Sequence, residues 1–216
     1  MRVLLVLLLA LMLVAGCGGD DDGDTTEPVA TGADECTSVE APAAREPEAG
    51  EAPSQELDPS KTYTLTFDTN CGSFVVTLDA EQAPNTAASL VALANAGYFD
   101  ATIFHRVVPG FVIQGGDPTQ SGGGGPGYST VDAPGSDAEY TQGVVAMAKT
   151  EVEAPGTSGS QFFVVTGQDA GLPPDYAIVG EVTDGMDTVL RIDALGVSDG
   201  PPSQPVVVNT VTVGES

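Results

Sequence analysis

The chain is 216 residues long, with 31 Asp and Glu against 6 Lys and Arg and a formal net charge of −25. Such a polyanion is repelled by phosphate backbones and by anionic lipid head groups, which argues against nucleic-acid binding and against polybasic membrane attachment. The length allows one ordinary domain or two small ones, and with no Trp and 6% aromatic residues the core must be mainly aliphatic. The first element is an apolar run from Val3 to Val14 behind Met1 and Arg2. It is too short to cross a hydrocarbon core of roughly 30 Å and has the length of a signal-peptide h-region.

The run ends in Val14-Ala15-Gly16-Cys17. Small residues before a Cys, directly after an h-region, resemble the lipobox of bacterial lipoproteins, which are cleaved before the Cys and lipidated on it. This resemblance implies a signal peptide over residues 1–16, a lipidated Cys17 and a lipid-anchored location on the extracytoplasmic face of a bacterial membrane. An ordinary secretory signal with an incidental Cys is the alternative. Gly18 to Ser60 carries 13 acidic residues and one basic residue, Arg45, with almost no large apolar side chains. That composition predicts a disordered, self-repelling linker over residues 17–60. The acid block Asp20-Asp21-Asp22-Gly23-Asp24 does not fit a calcium loop, because Thr25 and Thr31 stand where an EF-hand needs Gly and Glu. With Cys17 set aside, Cys36 and Cys71 remain. On the oxidising side of a membrane they are expected to form a disulfide, two free thiols being the alternative. A single His and the absence of any CxxC spacing argue against a metal or redox site.

The folded domain is predicted to span 61–216, with 18 acidic and 4 basic residues. Tyr63, Leu65 and Phe67 alternate with polar residues, and after a turn at Asn70-Cys71-Gly72 the alternation resumes at Phe74, Val76 and Leu78, the pattern of a β-hairpin. A short amphipathic helix follows, opened by Pro84, facing inward with Ala87, Leu90, Val91 and Ala94, and closed by Gly97. Ile103 to Gln114 is strand-like with a turn at Pro109-Gly110, and Gly122 to Gly127 reads as a flexible loop. Val144 to Ala148, Gln161 to Thr166 and Tyr176 to Val182 are short buried strands. Asp184 is placed as the cap of a second helix carrying Met186, Val189 and Leu190, and Val206 to Val213 as a closing strand. Many short strands with two helices predict a mainly β protein, a closed β-barrel with helical plugs.

The segment Phe104-His105-Arg106-Val107-Val108-Pro109-Gly110-Phe111-Val112-Ile113-Gln114-Gly115-Gly116-Asp117 resembles the signature of the cyclophilin-type peptidyl-prolyl cis-trans isomerases, and Gly159-Ser160-Gln161-Phe162-Phe163-Val164 is similar to their second hallmark. The resemblance covers essentially all of 61–216, including Ala83-Pro84-Asn85-Thr86 and Gly180-Glu181-Val182. It implies an eight-stranded antiparallel closed β-barrel capped by two α-helices. It also implies an enzyme that turns X-Pro bonds in proline-containing polypeptides, here secreted or envelope proteins, without cofactor or metal. The resemblance assigns Arg106 as the catalytic donor, with Gln114 holding it and bonding the substrate backbone. Phe111, Phe163, Leu172 and Met147 would form the proline pocket. Ala148 and Lys149 would supply backbone contacts, Gln161 a polar wall, and Tyr176 stands where many relatives place a His or Tyr. Gly171 stands where cyclosporin-sensitive members carry a Trp, a departure that leaves cyclosporin sensitivity open.

Taken by residue type alone, an Arg flanked by apolar residues is an ordinary surface residue with a buried stem, and Phe111, Phe163 and Leu172 are ordinary core. His105 lacks the G-x-S-x-G elbow that a triad would need, and no Gly-Lys-Ser/Thr follows the glycine loop. Glu151 and Glu153 place negative charge beside the site and point to basic peptides. A non-catalytic proline-peptide-binding or chaperone module, or a surface adhesin, are the alternative functions. No heptad or apolar stripe calls for an oligomer, so a monomer is expected.

Overall fold

The computed structural model describes residues 35–46 and 50–216. The apolar leader, Cys17 and the acid block at Asp20 to Asp24 lie outside the described residues. The predicted hairpin is formed by β1 (Tyr63–Thr69) and β2 (Gly72–Leu78), paired antiparallel from Thr64 opposite Thr77 to Thr69 opposite Gly72. Its period-two pattern buries Leu65, Phe67, Phe74 and Val76, and the cross-strand pair Phe67 and Phe74 stacks with ring centroids 4.8 Å apart.

Helix α1 (Pro84–Asn95) starts on Pro84, where a missing N–H costs nothing. Asp132, from a distant loop, caps it by accepting from the Thr86 N–H at 2.7 Å and the Thr86 hydroxyl at 2.6 Å. Gly97, at φ +68°, ends the helix as expected: its N–H reaches Ala94 O and the Tyr98 N–H reaches Leu93 O, both at 3.0 Å, so the last carbonyls are satisfied.

The remaining strands are β3 (Thr102–Ile103), β4 (Arg106–Val108), β5 (Val112–Gly115), β6 (Thr130–Val131), β7 (Val144–Met147), β8 (Thr157–Ser158), β9 (Phe162–Val165), β10 (Ile178–Asp184) and β11 (Val207–Glu215), with α2 (Met186–Asp193) before β11. Nine strands form one curled sheet in the order β3-β11-β1-β2-β10-β7-β9-β5-β4, every pairing antiparallel, and β6 pairs with β8 in a separate ribbon. The mainly β architecture with two helices is the expected one, and the ladder has the expected eight strands once its two ends, β3 and β4, are counted together. Those two edges are consecutive in the chain. Ile103 pairs with Val207 and Arg106 with Gln114, so β3 and β4 act as one strand interrupted at Phe104-His105. The interruption is tied to the segment before β11, through Phe104 N–H to Val206 O at 3.0 Å and Val107 N–H to Gly200 O at 2.7 Å.

Asp184 does not cap α2. It ends β10, and Gly185, at φ +74°, takes the cap position with no side-chain bond. A Cβ at Gly185 would run into Ser73 O and the Phe74 backbone, so the close approach of helix and hairpin selects glycine over a capping side chain. The main core fills the inside of the curled sheet beneath both helices, with Phe99, Phe104, Ile113, Met147, Val164 and Ile192 almost wholly excluded from solvent.

The reading of 17–60 as a free linker is corrected for its described part. Cys36 and Cys71 are disulfide-bonded, Thr37 N–H donates to Asn70 O at 2.8 Å, and Arg45 N–H to Pro118 O and Gly50 N–H to Pro126 O at 2.9 Å each. The Arg45 guanidinium lies 5.6 Å from the Tyr98 ring centroid and donates to Tyr98 O, and Leu57 packs against the core. Composition hid this strap because most of its docking uses backbone bonds, one covalent link and the Arg45 guanidinium, with Leu57 the one large apolar side chain it sets against the core. Closing 35 residues of chain with the disulfide stabilises the fold by about 3 to 4 kcal/mol in the chain-entropy account.

Candidate active site

The β4–β5 hairpin puts Arg106 opposite Gln114, Gln114 opposite Phe163 on β9, Phe163 opposite Ala146 on β7, and Ala146 opposite Ile178 on β10. Directly opposed residues share a face, so these side chains form one row across the outside of the sheet. Their neighbours Val107, Ile113 and Val164 point inward and are fully buried.

An apolar cluster covers the middle of that outer row. Val112, Tyr140, Ala146, Phe163 and Val165 are buried in it, with Phe111, Ala148, Leu172 and Tyr176 packed around them. The structure brings together Phe111, Phe163, Leu172, Tyr176 and Ala148 in this cluster. Met147 is corrected: it opposes Phe162 and lies in the main core with no exposed surface. Alternation along β7 turns Ala146 and Ala148 outward and Met147 inward. Val112 takes a place in the cluster that the sequence reading missed, although it stands two residues before Gln114 and so shares its face.

Polar contacts run along one flank of the cluster. Arg106 Nη1 donates to Gln114 Oε1 at 3.3 Å, Gln114 Nε2 donates to Gln161 Oε1 at 3.1 Å, and Gln161 Nε2 donates to Gly122 O at 3.0 Å and Gly124 O at 2.9 Å. On its other side Arg106 forks onto Asp199, from Nε to Oδ1 at 2.6 Å and from Nη2 to Oδ2 at 3.1 Å. Asp199 is 93 residues away, and no local pattern in the sequence marks it. The Arg106 guanidinium carbon is 6.0 Å from the Phe111 ring centroid, so charge and apolar surface adjoin directly.

Lys149 and Ala148 are more committed than the sequence reading had them. The Lys149 amine, its side chain 2% exposed, pairs with Asp175 at 2.9 Å, donates to Glu153 O at 3.2 Å and lies 5.4 Å from the Tyr176 ring centroid. It braces the 150–156 loop. The Ala148 N–H is used by Gln161 O at 2.9 Å. Tyr176 packs edge-on against Phe163, with centroids 5.6 Å apart, and Tyr140 clamps its backbone by accepting from Tyr176 N–H at 3.0 Å and donating to Tyr176 O at 2.7 Å.

The glycine loop predicted to be flexible is wound around a wholly buried Asp117. The carboxylate accepts from the Thr119 N–H and hydroxyl, at 2.7 and 2.8 Å, and from the N–H groups of Ser121, Gly122 and Gly124, at 3.1, 2.7 and 3.1 Å. A Cβ at Gly124 would collide with that carboxylate and the Thr119 hydroxyl, which accounts for a glycine there. Burial works to raise the Asp117 pKa, but the bonds from Thr119, Gly124 and Gly122 together outweigh it and hold the carboxyl below the usual value. His105 beside it is neutral: burial pushes its pKa down against the opposing pull of Asp117, and Arg106 adds to the depression. Neither ring nitrogen of His105 has a hydrogen-bond partner among the described residues, so nothing equips it as a catalytic base.

The outer face of the curled antiparallel sheet thus sets an apolar patch beside a hydrogen-bonding guanidinium. The chain belongs to the family described as cyclophilin type peptidyl-prolyl cis-trans isomerase/CLD, whose model matches residues 64–213, and it is an isomerase of that type. It is 38% identical over 170 residues to the probable peptidyl-prolyl cis-trans isomerase A of Mycobacterium leprae, covering 69% of this chain and 91% of the relative. To the peptidyl-prolyl cis-trans isomerase A of Mycobacterium tuberculosis H37Rv it is 37% identical, covering 72% and 94%. Among solved structures, a Cryptosporidium parvum cyclophilin type isomerase superposes with a TM-score of 0.65 at 30% identity, over 71% of this chain and 98% of that one. A second crystal structure of that protein, in the presence of the dipeptide Ala-Pro, gives 0.64 over 70% and 98%.

Removing the Asp117 carboxylate leaves several buried donors unpaired, so Asp117→Ala is expected to cost about 3 kcal/mol in urea unfolding. Asp117→Asn isolates the charge. Because the folded pKa is depressed, the wild-type advantage over Asn is complete above the ordinary carboxylate value of 3.8 and disappears as pH falls through the lower folded value. Stability curves for the two proteins that stay parallel from pH about 6 to about 2.5 would contradict this.

Proposed function

We propose that this isomerase uses Arg106 to stabilise the twisted amide of X-Pro bonds in secreted or envelope polypeptides, from a lipid anchor at Cys17 on the extracytoplasmic side of the membrane. The observation that carries the mechanism is the single outer row that sets the Arg106 guanidinium beside Gln114, Phe163 and the Phe111 ring.

Rotation about an X-Pro amide is slow because resonance stiffens the C–N bond, with a barrier of about 18 to 20 kcal/mol. In the twisted state conjugation is lost and the nitrogen lone pair becomes an acceptor that the planar amide does not offer. A donor placed there binds the transition state better than either ground state, which is the requirement for acceleration. The Phe111, Val112, Phe163 and Leu172 surface takes the proline ring, Arg106 donates to the prolyl carbonyl or nitrogen, and Gln114 holds Arg106 and bonds the peptide backbone. Proline-containing polypeptides are therefore the ligands, in line with the Ala-Pro dipeptide named for the Cryptosporidium structure.

Charge narrows the substrate further. Each of the four basic side chains of the barrel is already paired, Lys61 with Glu215, Arg106 with Asp199, Lys149 with Asp175 and Arg191 with Asp187. The surplus of carboxylates, Glu151 and Glu153 among them, makes the approach to the site negative. Peptides with Lys or Arg near the proline are favoured by that field.

Three outcomes are expected. In a protease-coupled isomerisation assay Arg106→Ala loses about a hundredfold or more of kcat/KM; a folded variant that keeps the wild-type rate would remove Arg106 from the mechanism. Lys-flanked peptides turn over about tenfold faster than Glu-flanked ones at low salt, and the gap narrows as ionic strength rises; equal rates at every salt concentration would sink the basic-peptide reading. Expressed in a bacterium, the protein partitions into the detergent phase with a diacylglyceryl group on Cys17, as read by mass spectrometry. Cys17→Ser abolishes both, and an unmodified Cys17 in the wild type would exclude the anchor.

A further inference from the structure

We propose that Asp199 is a positioning residue for Arg106, fixing which N–H groups of the guanidinium face the bound amide. A guanidinium has five N–H donors in a rigid plane. Asp199 takes the Nε–H and one Nη2–H, and Gln114 takes one Nη1–H, which leaves one donor on each terminal nitrogen uncommitted among the described residues. Without Asp199 the polar hold on the guanidinium falls to one 3.3 Å bond to Gln114. Stacking beside Phe111 at 6.0 Å does not define rotation in the plane of the group. A two-point fork does.

The backbone supports the same assignment. Asp199 lies between α2 and β11, and the carbonyl of the next residue, Gly200, accepts from Val107 N–H at 2.7 Å, beside Arg106 on β4. Ser203 N–H donates to Leu195 O at 2.8 Å and closes the same segment on itself. The carboxylate is thus carried on main chain tied to the strand that carries its partner, so the pair moves as a unit. The hydrogen bond from Arg106 also holds the Asp199 carboxyl below its usual pKa, keeping it ionised at neutral pH. The Asp199 side chain is 68% exposed, so water and ions screen the pair and the guanidinium is not locked away from a substrate.

The inference rests on Arg106 as the catalytic donor, and the test separates the two. Rates are measured for wild type, Asp199→Ala, Asp199→Asn, Arg106→Ala and the Asp199→Ala/Arg106→Ala double variant of the whole chain, each checked for an unchanged thermal midpoint. Asp199→Ala is expected to lower kcat about three- to tenfold while KM changes less than about twofold, since only the orientation of the donor is disturbed. Asp199→Asn recovers part of the loss, because its amide oxygen still accepts from Nε. In the Arg106→Ala background the Ala substitution at 199 has no further effect. The Arg106 Nε–H resonance, protected in the wild type, exchanges rapidly with solvent in Asp199→Ala. An unchanged kcat in Asp199→Ala overturns the proposal, as does a raised one, which would make Asp199 a competitor of the substrate. If Arg106→Ala keeps the wild-type rate, the Arg106 reading itself falls, whatever Asp199 does.

Discussion

A buried carboxylate sets the organisation of the site. Asp117 has no exposed surface, and a charge in that position is tolerated only when hydrogen bonds replace its lost hydration. The loop around it is bent to supply those bonds. Two things are then built on the loop. Its carbonyls at Gly122 and Gly124 receive Gln161, which orients Gln114 and through it Arg106. Its outer edge receives the strap, with Pro118 O accepting from Arg45, Pro126 O from Gly50, and Gln120 Nε2 donating to Pro42 O at 2.9 Å. The acidic segment is thereby fastened at one end by the disulfide and farther along by the loop that shapes the active site.

The second constraint is the two-residue period of the strands. On β4, β5, β7 and β9 the inward residues, Val107, Ile113, Met147, Phe162 and Val164, close the core, and the outward ones, Arg106, Gln114, Ala146 and Phe163, form the site. Core and site are thus opposite faces of the same strands, separated by one residue of register. A one-residue slip of β5 against β4 would bury Gln114 and expose Ile113, so the hydrophobic cost of misregistration also protects the outer row that carries Arg106 and Gln114.

Legibility follows from how far each signal reaches along the chain. The β1–β2 hairpin, α1 with Pro84 and Gly97, and the Arg106–Gln114 hairpin were readable because alternation, capping and turn residues are local. The cysteine pair was readable because so few partners existed. Met147 was misplaced because its type suits core and pocket equally and only the strand register separates them. Val112 was within reach of the same alternation argument. Asp132 at the start of α1, Asp199 on Arg106 and the strap on the barrel are contacts between residues far apart in sequence, and nothing near them in the chain encodes the partner. Asp184 was a reasonable cap by residue type, overruled by the tight contact of Gly185 with the hairpin. The two-residue strands β6 and β8 are too short to show any period.

If Arg106 acts on the amide as proposed, a buried Asp199 would neutralise the charge it uses, and the exposure of the pair decides the matter. With Arg106 31% and Asp199 68% exposed, water and ions screen the ion pair, and it adds little to stability. On the proposed mechanism, an amide that begins to twist would meet a guanidinium already oriented, whose remaining N–H groups need break no strong bond to reach it. The same pair in a dry site would hold the donors with an energy that substrate binding would first have to overcome. Orientation without tight sequestration is what an outer-face site makes possible, and it is consistent with a reaction in which nothing covalent forms and only the difference between planar and twisted amide has to be recognised.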